Sequence, residues 1–296
     1  MPEKSFKFGP KVQDRALRSL IWLLLRLPYS WRVPLCGWIM GRVIAPLAGY
    51  DRRVRENLAR ILPDLPEAEV KRLMRSVPNN VGRTIIEMYS GEEFVARATR
   101  HPLTGAGLEA LAEAAAAKRP VIIVSGHFGN YDAARAALLR QGYPFGGLYR
   151  RMNNPYFNEH YVAAISKIGE PLFARDKKGM AGMIRFLREG GMLGLLIDQH
   201  MSRGARLSFF GHDAMTALSA AEMALKYDAL IFPVYAIRLE NGLDFRIVVE
   251  KPIPPGTPEE QTQALNDSLE ALVRQHLDQW LWIHRRWKAA PRTSAE

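Results

Sequence analysis

The chain of 296 residues has little of what staples, metallates or embeds a protein. Its single cysteine, Cys36, excludes an intrachain disulfide, and no Cys/His cluster at ligand spacing surrounds it. The seven histidines are scattered, none four positions from another as two ligands on one helix face would be. Neither a metal nor a cofactor is expected. No apolar run approaches the roughly 20 residues of a bilayer-spanning helix. The blocks at 20–25, 33–40 and 43–47 each stop at an arginine or a turn. No Ala-x-Ala site follows the first of them, which argues against a cleaved signal peptide. Tryptophan is absent from the whole middle of the chain.

Basic charge, by contrast, is plentiful and uneven. Residues 1–60 carry twelve Lys or Arg against four Asp or Glu, a net +8 out of +11 for the whole chain. Apolar blocks and Trp22, Trp31 and Trp38 are interleaved with that charge, and Pro28 and Pro34 divide it into short amphipathic segments. Such segments lie in the headgroup region, where arginine stems snorkel. Residues 1–50 therefore read as a membrane-associated leader, 51–290 as the main domain and 291–296 as a frayed tail. The alternative is a basic helix packed on the protein's own core. Trp280, Trp282 and Trp287 in QWLWIHRRWK are expected to meet the bilayer beside the leader, with Arg285, Arg286 and Lys288 toward lipid phosphates. A sequence pI near 9.9 also suits nucleic acid. The mixture of charge with Trp and Leu, and the absence of a nucleic-acid motif, exclude that partner.

With 48% hydrophobic residues the chain can fill a full core. Apolar runs predict strands over 121–124, 145–149, 171–175, 192–197, 230–237 and 245–250. Helical periodicity covers 54–61, 67–88, 108–118, 131–141, 158–168, 180–189, 218–226 and 262–283. The alternation predicts an α/β fold with a mainly parallel mixed sheet flanked by helices.

One stretch, VIIVSGHFGNYDAAR at 121–135, carries chemistry. Residues five apart on one helix are separated by about 140°, so His127 and Asp132 can meet only if the helix starts between them. Gly126 and Gly129 permit the turn. A carboxylate on one ring nitrogen fixes the tautomer and leaves the other nitrogen free as a general base. The bland reading is a helix-start carboxylate and a turn histidine. Ser125 is a rival nucleophile, but V-S-G-H lacks the G-x-S-x-G elbow.

HFGNYD resembles the H-x4-D/E motif of the bacterial lipid A biosynthesis (late) acyltransferases, a family related to the glycerol-phosphate acyltransferases. The block from Tyr149 to Pro155 (YRRMNNP), that from Arg175 to Met180 (RDKKGM), Asp198-Gln199, Phe209-Phe210-Gly211 with Thr216, Arg55-Glu56-Asn57-Leu58 and the tail 282–288 are similar in the family's order. Members commonly begin with one hydrophobic helix, whereas this leader is broken by charges. The resemblance implies a glycerol-phosphate-acyltransferase-like fold and acyl transfer from a thioester, with acyl carrier protein as donor, to a hydroxyl of an anionic membrane lipid. A lipid A precursor is the first acceptor, a lyso-phospholipid or lyso-aminolipid the second. It implies His127 and Asp132 as the catalytic pair, no acyl-enzyme, and the cytoplasmic face of the inner membrane. A membrane-surface interaction protein on the same fold is the reading from another class. Substrate contacts are expected from Gly129 and Asn130, through backbone N–H groups at the helix start, and from Arg150, Arg151 and Arg175, whose planar forks suit phosphate. Asp198, at the carboxyl edge of a strand, is expected to orient Arg175 or to cap its loop. Thr216 is expected to N-cap the next helix and face the site.

Overall fold

The computed structural model describes residues 9–288, so the expected tail at 291–296 lies outside the described residues. Five helices lead: α1 (Pro10–Leu25), α2 (Tyr29–Ile39), α3 (Ala45–Ala48), α4 (Tyr50–Ile61) and α5 (Glu67–Met88), with a π-helical stretch Met40–Ile44 joining α2 to α3. Then come α6 (Glu92–Ala98), α7 (Leu108–Ala116), β1 (Val121–Ser125), α8 (Tyr131–Arg140), β2 (Phe145–Tyr149), α9 (Pro155–Ser166), β3 (Leu172–Ala174), α10 (Lys177–Arg188) and β4 (Met192–Leu196). The chain continues through β5 (Ala205–Phe209), β6 (His212–Thr216), α11 (Ser219–Tyr227), β7 (Leu230–Arg238), β8 (Phe245–Val249) and α12 (Pro258–Gln275).

The main sheet has the order β3-β2-β4-β1-β7-β8, with only β8 antiparallel to its neighbour. The expected mixed, mainly parallel sheet is therefore present. β1 is buried along its whole length because helices cover both sheet faces. The β5–β6 hairpin stands apart from this sheet and was not expected. The helix expected over 262–283 stops at Gln275, because the chain then turns back and Trp280 bridges to Phe128.

The leader differs from two short segments. Pro28 sits just before α2, but Pro34 lies inside it without breaking it. Close packing on α5 holds this run: a Cβ on Gly41 would stand 2.7 Å from the Arg75 carbonyl oxygen, and one on Gly82 2.6 Å from that of Cys36. Leu24, Tyr29 and Val33 join the core cluster that contains β1 and α8, so one core runs across position 50. Arg32 is buried there, bound to Ser90 and Glu93. No single helix among the described residues is long and apolar enough to cross a membrane; Tyr29–Ala48 and α4 reach that measure only as a pair bent by 83°.

Candidate active site

The parallel register of β1 and β4 pairs Ser125 with Leu196. Two residues further along each strand, past the carboxyl edge, stand His127 and Asp198. Asp198 accepts from the His127 backbone N–H through Oδ2 and pairs its Oδ1 with His127 Nδ1, both at 2.7 Å. The indole Nε1 of Trp280 donates to Oδ2 at 2.9 Å. An ionised carboxylate only accepts, so Nδ1 carries the proton and Nε2 presents its lone pair. The Gln199 amide lies 3.2 Å from Nε2, on the exposed side of the site. Burial disfavours the imidazolium, but the charge and hydrogen bond of Asp198 outweigh it and hold the His127 pKa above its ordinary 6.5. Burial likewise opposes the Asp198 charge, and His127 with the donated bonds nonetheless keeps that carboxyl well below its usual range.

Asp132 is elsewhere. Asn130 N-caps α8, accepting from the Asp132 N–H, and the Asp132 carboxylate takes Arg135 Nε one turn on at 2.8 Å. The same guanidinium donates to the carbonyls of Ile165, in the last turn of α9, and Gly169 just beyond it. The helix does start between His127 and Asp132, but no hydrogen bond joins them. Nδ1 is occupied by a carboxylate from a different strand, and the predicted partner is spent in a buried ion pair.

Other expectations shift in the same way. The N–H groups of His127, Phe128 and Gly129 bond to Asp198, Gly126 and Gln279, so they are not free for an oxyanion. Gly129 has φ +53, and a Cβ there would meet the Ala236 carbonyl oxygen at 2.0 Å. Asn130 is fully buried and donates to Glu87, itself paired with buried Arg238. Asp198 serves His127 and Trp280 rather than Arg175. Arg150 and Arg175 directly follow β2 and β3 at the same carboxyl edge as His127, both exposed. Arg150 reaches Asn153, Arg151 is taken by Asp176, and the Arg175 side chain has no hydrogen bond or ion pair among the described residues. Thr216 caps no helix: it ends β6, donates to the Ala214 carbonyl and accepts from Arg286 at 2.5 Å.

The tail is also corrected. Trp280, Trp282 and Trp287 are buried with Phe209 and Phe210 in one aromatic cluster, with centroids as close as 4.9 Å between Trp280 and Trp282. Each indole N–H finds a partner, in Asp198, Leu277 and Phe209. Arg286 is fully buried, and burial lowers its pKa to about 10. Asn57 donates to the carbonyls of Trp282 and His284, which explains the Arg55–Leu58 motif: it fastens the tail. Three contacts around His127 escaped the sequence reading: Asp198 as histidine partner, Gln199 beside Nε2, and Trp280 on the carboxylate. The strand-end position of Asp198 was a usable signal, but the adjacency of β4 to β1 was not readable.

Residues 14–289 match the family described as bacterial lipid A biosynthesis acyltransferase. A lipid A biosynthesis lauroyltransferase of Escherichia coli is 25% identical over 285 residues, covering 92% of this chain and 90% of its own. A lipid A biosynthesis acyltransferase of Haemophilus influenzae is 23% identical over 301 residues, 95% of each chain. A phosphatidylinositol mannoside acyltransferase of Mycolicibacterium smegmatis is 24% identical over 281 residues, 90% of this chain and 89% of its own. With a match spanning nearly its whole length, the chain belongs to the bacterial lipid A biosynthesis acyltransferase family and is an acyltransferase.

Proposed function

We propose that the protein transfers a fatty acyl group from a thioester, carried by acyl carrier protein, to a hydroxyl of an anionic glycolipid, with a lipid A precursor as first acceptor. The observation that carries the mechanism is the His127–Asp198 pair, with Nε2 facing the open side. Nε2 takes the acceptor hydroxyl proton as its oxygen attacks the thioester carbonyl. The C–S bond breaks, the thiolate leaves and takes the proton back, and the new ester departs. Asp198 stabilises the imidazolium throughout, so no acyl-enzyme is needed. Arg150 and Arg175 supply cations for phosphate at the same edge. Asp132 supports the site through Arg135. Relatives named for lipid A and for phosphatidylinositol mannoside have nearly equal identity, which favours an anionic glycolipid over a lyso-phospholipid. We read the mainly parallel sheet as the glycerol-phosphate-acyltransferase-like fold that the resemblance implies.

We also infer that the leader docks on the cytoplasmic face of the inner membrane. Leu20, Trp22, Leu23, Trp31, Trp38 and Leu47 are exposed along α1, α2 and α3, beside Arg26 and Arg42. Purified protein given acyl-carrier-protein thioester and lipid A precursor should form the ester. His127→Ala should lose about 10²–10⁴-fold of that rate. Near wild-type turnover by this variant would refute the mechanism, as would a stable protein-bound acyl group.

A further inference from the structure

A cleft of about 480 Å3 opens where the π-helical stretch packs on α5, lined by Trp38, Gly41, Arg42, Lys71, Arg72 and Arg75 among others, none of them Asp or Glu. Its size falls within the roughly 300–1,000 Å3 of ligand sites. Local geometry gathers the cations. Gly37 and Gly41, one turn apart, let the leader press on α5: a Cβ on Gly37 would stand 2.8 Å from Asn79 Oδ1, and one on Gly41 2.7 Å from the Arg75 carbonyl oxygen. The π-helical widening at Met40–Ile44, a feature that recurs at functional sites, carries Arg42. Arg42 and Arg75 therefore border one cavity from two elements. Lys71 stands 3.7 Å from Glu67, and Arg72 is held by Glu69 at 2.7 Å and approaches Asp278 at 3.6 Å. Arg42 and Arg75, both exposed, have no hydrogen bond or ion pair among the described residues. Four cations around one cavity repel one another, and a bound anion relieves that repulsion.

We propose that this cleft, outside the active site, binds the phosphate of an anionic membrane phospholipid, with Arg42 and Arg75 as its two guanidinium clamps. The proposal rests on the leader docking inferred above. The surroundings identify the anion. Trp38 is a wall of the cleft and is itself exposed, and Val43, Ile44 and Leu47 follow it along the leader, exposed as well. A phosphate seated between the two arginines stays joined to hydrocarbon that meets this apolar rim, with the Trp38 indole at the interface between them. A free anion gains nothing from the rim. The planar guanidinium forks suit phosphate oxygens bidentately. A phosphate already neutralised by its own ammonium group, as in phosphatidylcholine, offers these cations no uncompensated charge. One seated phosphate also fixes the orientation of the docked leader, which diffuse attraction to a charged surface leaves free.

The test measures binding of the purified full chain to phosphatidylcholine vesicles that contain phosphatidylglycerol, or oleate to the same surface charge. Wild type should prefer the phosphatidylglycerol vesicles. Arg42→Gln and Arg75→Gln should each weaken binding to them about tenfold or more, as the loss of charge-assisted bonds does, and remove the preference. Arg75→Lys keeps the charge without the fork and should lose most of the preference too. Arg15→Gln makes the same charge change at an exposed, unbonded leader residue outside the cleft, and should cost at most about fivefold on either vesicle. Equal losses from the three glutamine variants, or equal wild-type binding to the two vesicles, would overturn the site in favour of diffuse charge. Inorganic phosphate that displaces the vesicles at the same concentration as a short-chain phosphatidylglycerol would show a free-anion site and overturn the lipid assignment. So would variants that raise KM for an acyl-carrier-protein thioester while vesicle binding holds, because the cleft would then serve an acidic protein. A wild-type chain that binds neither vesicle defeats the leader docking and the site with it, whereas wild-type binding that survives unchanged in Arg42→Gln and Arg75→Gln defeats the site alone.

Discussion

At the scale of single residues, two aspartates near one histidine do different work, and titration separates them. A general base must be neutral, and the Asp198 charge holds the His127 pKa above 6.5. The acid limb of kcat/KM should therefore have its midpoint above 6.5 and rise with pH through it. In Asp198→Asn the charge is gone and burial dominates, so the midpoint should move to lower pH along with a large loss of rate. Asp132→Asn should leave the midpoint in place. It should instead destabilise the fold by about 3–5 kcal/mol, because Arg135 stays buried without its counter-charge. Denaturant melts and pH profiles of the two variants check this directly. A shifted limb in Asp132→Asn would restore that carboxylate to the catalytic pair.

At the scale of elements, the returning tail is part of the site because Trp280 supports Asp198 and Asn57 fastens the strand of chain that follows. Asn57→Ala removes two part-buried bonds to tail carbonyls and should cost about 1–3 kcal/mol in denaturant unfolding, with turnover falling as Asp198 loosens. An unchanged unfolding midpoint would show that the tail is held by its aromatic rings alone. The same segment shows where reading the sequence stops. The strands at 121, 145, 192 and 230 were legible, since buried parallel strands are continuous apolar runs bounded by turns, and antiparallel β8 at 245 was legible by its β-branched residues with buried and less buried positions alternating. His127 was legible because a strand, a glycine turn and a helix start leave it at a carboxyl edge. Its partner was not: spacing along the chain proposed Asp132, whereas strand order supplied Asp198 from 71 residues away. Aromatic composition misled for the tail, because a Trp cluster suits a bilayer interface and a buried packing centre equally. Hydrogen-bond partners for the three indoles, which no sequence pattern displays, decide between them.

For the whole molecule, apolar exposure is concentrated at one end. Trp22, Trp31 and Trp38 are 58%, 69% and 54% exposed, while the three tail tryptophans are buried, so among the tryptophans those of the leader are the ones available for the proposed docking. Exposed large apolar side chains concentrated in one segment are what an interaction surface needs. The basic side chains between these residues add attraction to an anionic surface, about 1 kcal/mol each near it, and salt screens that part within about 10 Å. The apolar part is insensitive to salt. Binding to vesicles containing anionic lipid should therefore weaken with salt without vanishing, and replacing Trp22, Trp31 and Trp38 together by Ser should reduce it at every ionic strength. Because α2 is packed into the core, deleting the leader would remove Tyr29 and Val33 from the fold as well, so point changes are the cleaner test. Carbonate and high-salt washing should strip a substantial fraction of the protein from membranes. Complete resistance to both, with detergent required for release, would show that the bent pair of helices inserts deeply and that interfacial docking is the wrong description.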